Sequence, residues 1–158
     1  MKEISYLVGD ATAPETPGTR IIVHVCNDIG AWGKGFVMTL SKRWSGPESQ
    51  YKVWYRERKT NDFGLGGIQF VQVEEDVWVA NMIGQHGIRR TKQGPPIRYG
   101  AVEKCLGRLA KKAVELEASV HMPRIGCGLA GGKWEKIETI IAGQLSEKDI
   151  AVYVYDRG

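Results

Sequence analysis

Arg20-Ile21-Ile22-Val23-His24-Val25-Cys26 runs into Asn27-Asp28-Ile29-Gly30-Ala31-Trp32-Gly33-Lys34-Gly35, and Val120-His121-Met122-Pro123-Arg124-Ile125 runs into Gly126-Cys127-Gly128-Leu129-Ala130-Gly131-Gly132. Each apolar run reads as a buried strand, and each glycine loop leads into a helical pattern. Glycine lets backbone N–H groups approach a ligand closely, and the start of a helix adds a partial positive charge. Two such loops on neighbouring parallel strands would form a cleft suited to a diphosphate.

Working outward, strands are predicted at Ile4–Val8, Ile68–Val73, Val77–Met82 and Ile150–Tyr155, with Glu74-Glu75-Asp76 as an acidic turn between the middle pair. Helices are predicted at Phe36–Trp44, from Pro47 through Tyr51, Val53, Trp54 and Tyr55, at Tyr99–Glu117, and at Lys133–Leu145. Gly84–Pro96 is the largest irregular segment. Strands alternating with helices give an α/β fold, a three-layer α/β/α sandwich with a mixed, largely parallel central sheet. The 158 residues contain no repeat, low-complexity tract or linker and read as a single domain over 1–158.

Composition narrows the function. Apolar residues make up 42% and charged residues 25%, as in ordinary globular proteins. No apolar stretch is long enough for a membrane span and no signal peptide is visible, so a cytoplasmic location without membrane contact is expected. Cys26, Cys105 and Cys127 form no C-x-x-C pair, which argues against disulfides and against a zinc or other metal site. A net charge of +4 suits an anionic ligand but is too small and dispersed to argue for nucleic acid.

The second glycine loop fails two phosphate motifs. A Walker A loop needs glycine where Cys127 stands and Ser or Thr where Trp134 stands. A cysteine-phosphatase loop needs arginine where Lys133 stands, and lysine cannot fork two phosphate oxygens. A cradle of backbone amides needs only the glycines and a helix start, and it survives. Asn27 reads either as a turn former through its own backbone or as an amide for a ribose hydroxyl. Asp10 reads as a turn or capping residue, or as a carboxylate for an adenine amino group. His24 is either a hydrogen-bonded core residue or an acid, base or nucleophile near a strand end. His86 is an exposed loop histidine or a proton donor. Cys127 is a small buried thiol or a nucleophile at a helix start.

With both loops quoted, the chain resembles the macrodomain family, the ADP-ribose-binding α/β/α sandwich, over nearly its whole length. The resemblance is carried by Val8-Gly9-Asp10-Ala11-Thr12, by Val25-Cys26-Asn27 with Gly33-Lys34-Gly35, by Met122 through Leu129 with Trp134-Glu135, and by Val152-Tyr153. The segment from Met122 looks like the branch containing terminal ADP-ribose protein glycohydrolase. Arg20 through Asn27 with Gly30-Ala31-Trp32-Gly33 looks more like the related ADP-ribose 1″-phosphate phosphatase. The resemblance implies that Asp10 binds the adenine amino group, with Ala11 and Thr12 lining the adenine end and Tyr155 packing against the base. It implies that Asn27 contacts the distal ribose, and that Gly30–Gly35 and Gly126–Ala130 embrace the diphosphate. The glycohydrolase's lysine and aspartate are missing: the matching places read Ile83-Gly84-Gln85-His86 and Ala130. An aspartate that another class carries after its glycine stretch is also missing, since Val37 is followed by Met38. The phosphatase's histidine is retained as His24. The expected activity is therefore hydrolysis of an ADP-ribose derivative without a cofactor, namely removal of the phosphate of ADP-ribose 1″-phosphate, with His24 and His86 as participants. The alternatives are an ADP-ribosyl glycohydrolase acting on modified protein or nucleic acid, and a reader that binds free or attached ADP-ribose without turnover.

Overall fold

The computed structural model describes residues 2–157. Its strands are β1 (Ser5–Val8), β2 (Arg20–Asn27), β3 (Ile68–Glu74), β4 (Val77–Gln85), β5 (Ser119–Met122) and β6 (Val152–Asp156). They form one sheet in the order β1-β6-β5-β2-β4-β3, parallel throughout except for the antiparallel pair of β3 and β4. The two strands that lead into the glycine loops are thus direct neighbours, with Ile21 opposite Val120 and Ile22 opposite His121.

Strand alternation sends side chains to two cores. Ile21, Val23, Ala80, Met82, Val120, Met122, Val152 and Val154 face α3 (Tyr99–Leu116) and α4 (Trp134–Gln144). In α3 the buried residues Val102, Cys105, Leu106, Leu109, Ala110 and Ala113 recur at helical spacing, and Ile137 and Ile141 do the same in α4. Ile22, Cys26, Val77, Val79 and Ile83 face the other way, toward Leu40 of α1 (Phe36–Arg43) and Tyr51 and Trp54 of α2 (Gly46–Arg56). The result is the expected three-layer α/β/α sandwich. Where α1 and α2 do not reach, the segment before β2 covers the sheet: Thr16 meets His121 of β5.

Boundaries moved by a few residues for local reasons. The strand expected over Val120–Ile125 ends at Met122, because Pro123 has no N–H to continue a ladder. Conversely, β4 runs on to Gln85 beside Asn27, where the register shifts. Helix α3 stops at Leu116, with Glu117 in the left-handed region at φ 51°. No helix among the described residues is long and apolar enough to cross a membrane.

Candidate functional site: two loops at one end of the sheet

The first glycine loop is built by one side chain. Asn27 Oδ1 accepts from the N–H groups of Ile29 (3.1 Å) and Ala31 (3.0 Å), and its Nδ2 donates to the carbonyl of Ala31 at 2.7 Å. The buried Tyr51 hydroxyl lies 2.7 Å from the Asn27 carbonyl and 3.0 Å from Oδ1. Gly30, at φ 75°, turns the chain so tightly that a Cβ there would lie 2.4 Å from the Tyr55 ring. Trp32 then turns inward, its Nε1 donating to Ser41 Oγ at 2.8 Å, and Gly35 at φ 80° opens α1.

The second loop is built by backbone alone. Gly132 N–H donates to the Gly126 carbonyl at 2.7 Å, and Gly131 N–H to the Gly128 carbonyl at 3.1 Å. Ile97 N–H donates to the Ala130 carbonyl at 3.1 Å, tying the loop to the segment before α3. Burial raises the Cys127 thiol above its usual range, and Sγ donates to the Ile125 carbonyl, so it behaves as a small packed thiol rather than a thiolate.

Between the loops lies a cleft of about 560 Å³. Among the predicted residues it brings together His24, Asn27, Ala31, Gly33, Lys34, Gly35, Gly126, Gly128, Leu129 and Ala130. Among the described residues, no partner takes the N–H groups of Gly33, Lys34 and Gly35, or of Gly128, Leu129 and Ala130. Among the described residues, Lys34, Arg89 and Arg124 are the cations on its wall, and no carboxylate lines it. Unpaired amides and a positive wall suit an anion.

The remaining predicted residues lie off this wall. Gly30, Trp32 and Cys127 support the loops from behind. Asp10, just past the edge strand β1, accepts from Thr12 N–H (2.8 Å) and Thr12 Oγ1 (2.7 Å), and stands 3.7 Å from Arg43. Burial acts to raise its pKa, but these bonds and the nearby guanidinium groups win and hold the carboxyl below its usual range. Ala11 and Thr12 are buried beneath it. Tyr155 is buried, its ring faces Gly9, and its hydroxyl is 2.8 Å from His121 Nδ1.

The histidines differ sharply. His24 is 2% exposed, and its Nε2 is 2.6 Å from Asn81 Oδ1. Asn81 Nδ2 donates to the Pro47 carbonyl and to Gln69 Oε1, so Oδ1 is left as the acceptor and His24 Nε2 carries the proton. Burial brings the His24 pKa down to about 4, against the opposing pull of Asn81. Its ring stands edge-on to Trp32 at 5.4 Å. His86 is at the rim, outside the wall, with Nδ1 2.7 Å from Asp28 Oδ2. His121 is fully buried and does not line the cleft; it is stacked on Tyr153 at 4.9 Å, and burial brings it down to about 4 as well.

Sequence reading missed part of the wall: Phe36, Val37, Gln85, Ile88, Arg89 and Arg124 also line the cleft. Arg124 was visible within the Met122–Leu129 motif, and Gln85, Ile88 and Arg89 sat in the irregular 84–96 segment, but only strand order assigns them to this cleft.

No family model matches the chain. Among solved structures it is similar to a macrodomain protein from Streptomyces coelicolor, with 58% identity over 99% of this chain and 100% of that one, and a TM-score of 0.88. It is 31% identical, over 98% of its length, to a Chromodomain-helicase-DNA-binding protein 1-like from Danio rerio, of which it spans only 16%. It is 26% identical to an ADP-ribose 1″-phosphate phosphatase from Lodderomyces elongisporus, covering 97% of this chain and 99% of that one.

Proposed function

The chain belongs to the macrodomain family, and on that premise we propose that it binds ADP-ribose in this cleft and removes the terminal phosphate of ADP-ribose 1″-phosphate. The observation that carries the reading is the pair of amide runs, Gly33–Gly35 and Gly128–Ala130, that have no partner and line one cleft free of carboxylates among the described residues. Such amides bind a diphosphate without a metal or a phosphate-specific motif. The likeness to a named ADP-ribose 1″-phosphate phosphatase along nearly the full length supports the choice of reaction.

In this reading the adenine lies toward Asp10, whose carboxylate is held ionised by Thr12 and Arg43 and so remains an acceptor. The diphosphate spans the two loops. The distal ribose reaches Asn27, where the second Nδ2 hydrogen is the one available to it, because the other donates to Ala31. Hydrolysis adds water to phosphorus, breaks the bond between phosphorus and the C1″ oxygen, and places a proton on that oxygen. His24 is neutral, with its lone pair on Nδ1, which suits proton acceptance from water. His86 has Nδ1 on Asp28, which leaves Nε2 to deliver the proton.

Calorimetric titration with ADP-ribose, AMP and ATP tests the binding, and selective micromolar binding of ADP-ribose, about −8 kcal/mol, is expected. Phosphate release tests the chemistry. His24→Ala should retain binding and lose roughly 100-fold or more in rate, the scale of a general base; an unchanged rate would remove His24 from the mechanism. One observation favours a second reading, a reader without turnover: His24 is almost fully enclosed and Asn81 occupies its Nε2. Binding without phosphate release by the unmodified chain at high concentration would select it.

A further inference from the structure

We propose that Arg89 is the specificity-determining residue that grips a phosphate on C1″ of the distal ribose, and that Asp28 holds it in position. The assignment rests on the ADP-ribose reading above and adds to it the group that distinguishes the phosphorylated ligand.

Direction comes from the strand order. Asp10 follows β1 at one edge of the sheet, the two glycine loops follow β5 and β2, and β4 lies on the far side of β2. Gln85, Ile88 and Arg89, which follow or end β4, form the end wall of the cleft remote from Asp10. A ligand with its base toward Asp10 and its diphosphate between the loops ends against that wall.

Charge selects among the three cations. Arg124 is already satisfied, forking Asp156 at 2.6 and 2.9 Å, with its guanidinium 5.1 Å from the Trp134 ring. Lys34 sits among the amides of the first loop, where the diphosphate lies. Arg89 has no acidic partner among the described residues. The carboxylate of the first loop, Asp28, does not neutralise it: Oδ1 accepts from Gly87 N–H at 2.8 Å and Oδ2 faces His86 Nδ1 at 2.7 Å. A diphosphate is already matched by Lys34 and the amides, so Arg89 is a cation in surplus at the end where a third anionic group would stand. Its planar fork fits two oxygens of a phosphate.

Asp28 does the positioning. Its two bonds fix His86 and Gly87 to the first loop, while His86 N–H donates to the Pro96 carbonyl at 2.8 Å and Thr91 and Gly94 exchange two bonds of 2.9 Å. Arg89 is therefore presented from a hairpin anchored at its base. Arg90 and Lys92 lie on the same hairpin, exposed and off the cleft wall.

The test is calorimetry of the whole chain with ADP-ribose and ADP-ribose 1″-phosphate. The unmodified chain should favour the phosphorylated ligand by about tenfold or more, the scale of hydrogen bonds to a charged group. Arg89→Gln should abolish that preference and change ADP-ribose affinity less than about twofold, and Asp28→Ala should reduce it in the same direction, whereas Arg90→Gln should leave both affinities alone. Equal loss for both ligands in Arg89→Gln overturns the assignment. So does an Arg90→Gln effect as large as that of Arg89→Gln, which would mark a diffuse cationic surface of the kind that binds nucleic acid. An unmodified chain that binds ADP-ribose without preference overturns the assignment alone; one that binds neither ligand overturns the ADP-ribose reading as well.

Discussion

Replacing Asn27 with alanine removes the side chain that shapes the first glycine loop. Three bonds are lost outright: Oδ1 to the N–H groups of Ile29 and Ala31, and Nδ2 to the Ala31 carbonyl. The Tyr51 hydroxyl keeps the backbone carbonyl of residue 27 and contributes little to the loss. At about 1 kcal/mol net per bond, the cost is roughly 2–3 kcal/mol, since Ile29 is exposed and water replaces part of what is lost. Urea denaturation should report that change in stability. Calorimetry should show affinity for ADP-ribose falling by about tenfold or more, because the amides of Gly33–Gly35 are no longer pre-arranged. Asn27→Asp is the informative companion: it keeps an acceptor for the two N–H groups but sets an oxygen against the Ala31 carbonyl, so an intermediate loss is expected. If Asn27→Ala changed stability by less than about 0.5 kcal/mol while affinity fell, the residue would be a ribose contact and nothing more. If neither moved, the account of the loop would be wrong.

Gly33→Ala should leave stability within about 0.5 kcal/mol, because nothing among the described residues lies within 4 Å of the added methyl, yet weaken ADP-ribose binding, because Gly33 lines the cleft; unchanged calorimetry would remove it from the ligand's path. Gly132→Ala should cost about 2 kcal/mol or more, as overpacking does, since the methyl would stand 2.4 Å from the Gly126 carbonyl oxygen; an unchanged urea midpoint would refute the crowding. Acid should destabilise the fold through two histidines. His24 and His121 are both held neutral by burial, with pKa values near 4 against an unfolded value of 6.5. Depressed values mean that their contribution is present above pH 6.5 and is lost as pH falls through 4, about 2 kcal/mol each between pH 7 and 5. A urea midpoint constant over that interval would contradict this.

The strands were legible because β-branched runs such as Ile21-Ile22-Val23 alternate between two cores, and α3 because Val102 through Ala113 repeat at helical spacing. The two loops were legible as glycine clusters at strand ends. What stayed hidden depends on which strands sit together. Nothing local in Gln85, Ile88 or Arg89 says that β4 ends beside β2, and nothing in Arg124 says that Asp156 of β6 lies in reach. Asn27 was open to two readings because the same amide can close a turn or meet a ribose. The structure places it in the turn, with one hydrogen left over. His24 was likewise open; its partner Asn81 is 57 residues away, and its engagement is a fact of sheet pairing rather than of sequence.

The contrast between the loops has a consequence for how this molecule can change over time. One bend is fastened by a removable amide, the other by main-chain hydrogen bonds with no room at Gly132. Side-chain variation at the first can retune its shape in steps, through asparagine, aspartate or serine, at a graded expense in melting temperature. Gly132 in the second offers no such gradation, because even a methyl group there collides with main chain. Divergence in what the cleft recognises is therefore expected to gather on the asparagine side and along the neighbouring hairpin, while the opposite bend is inherited intact.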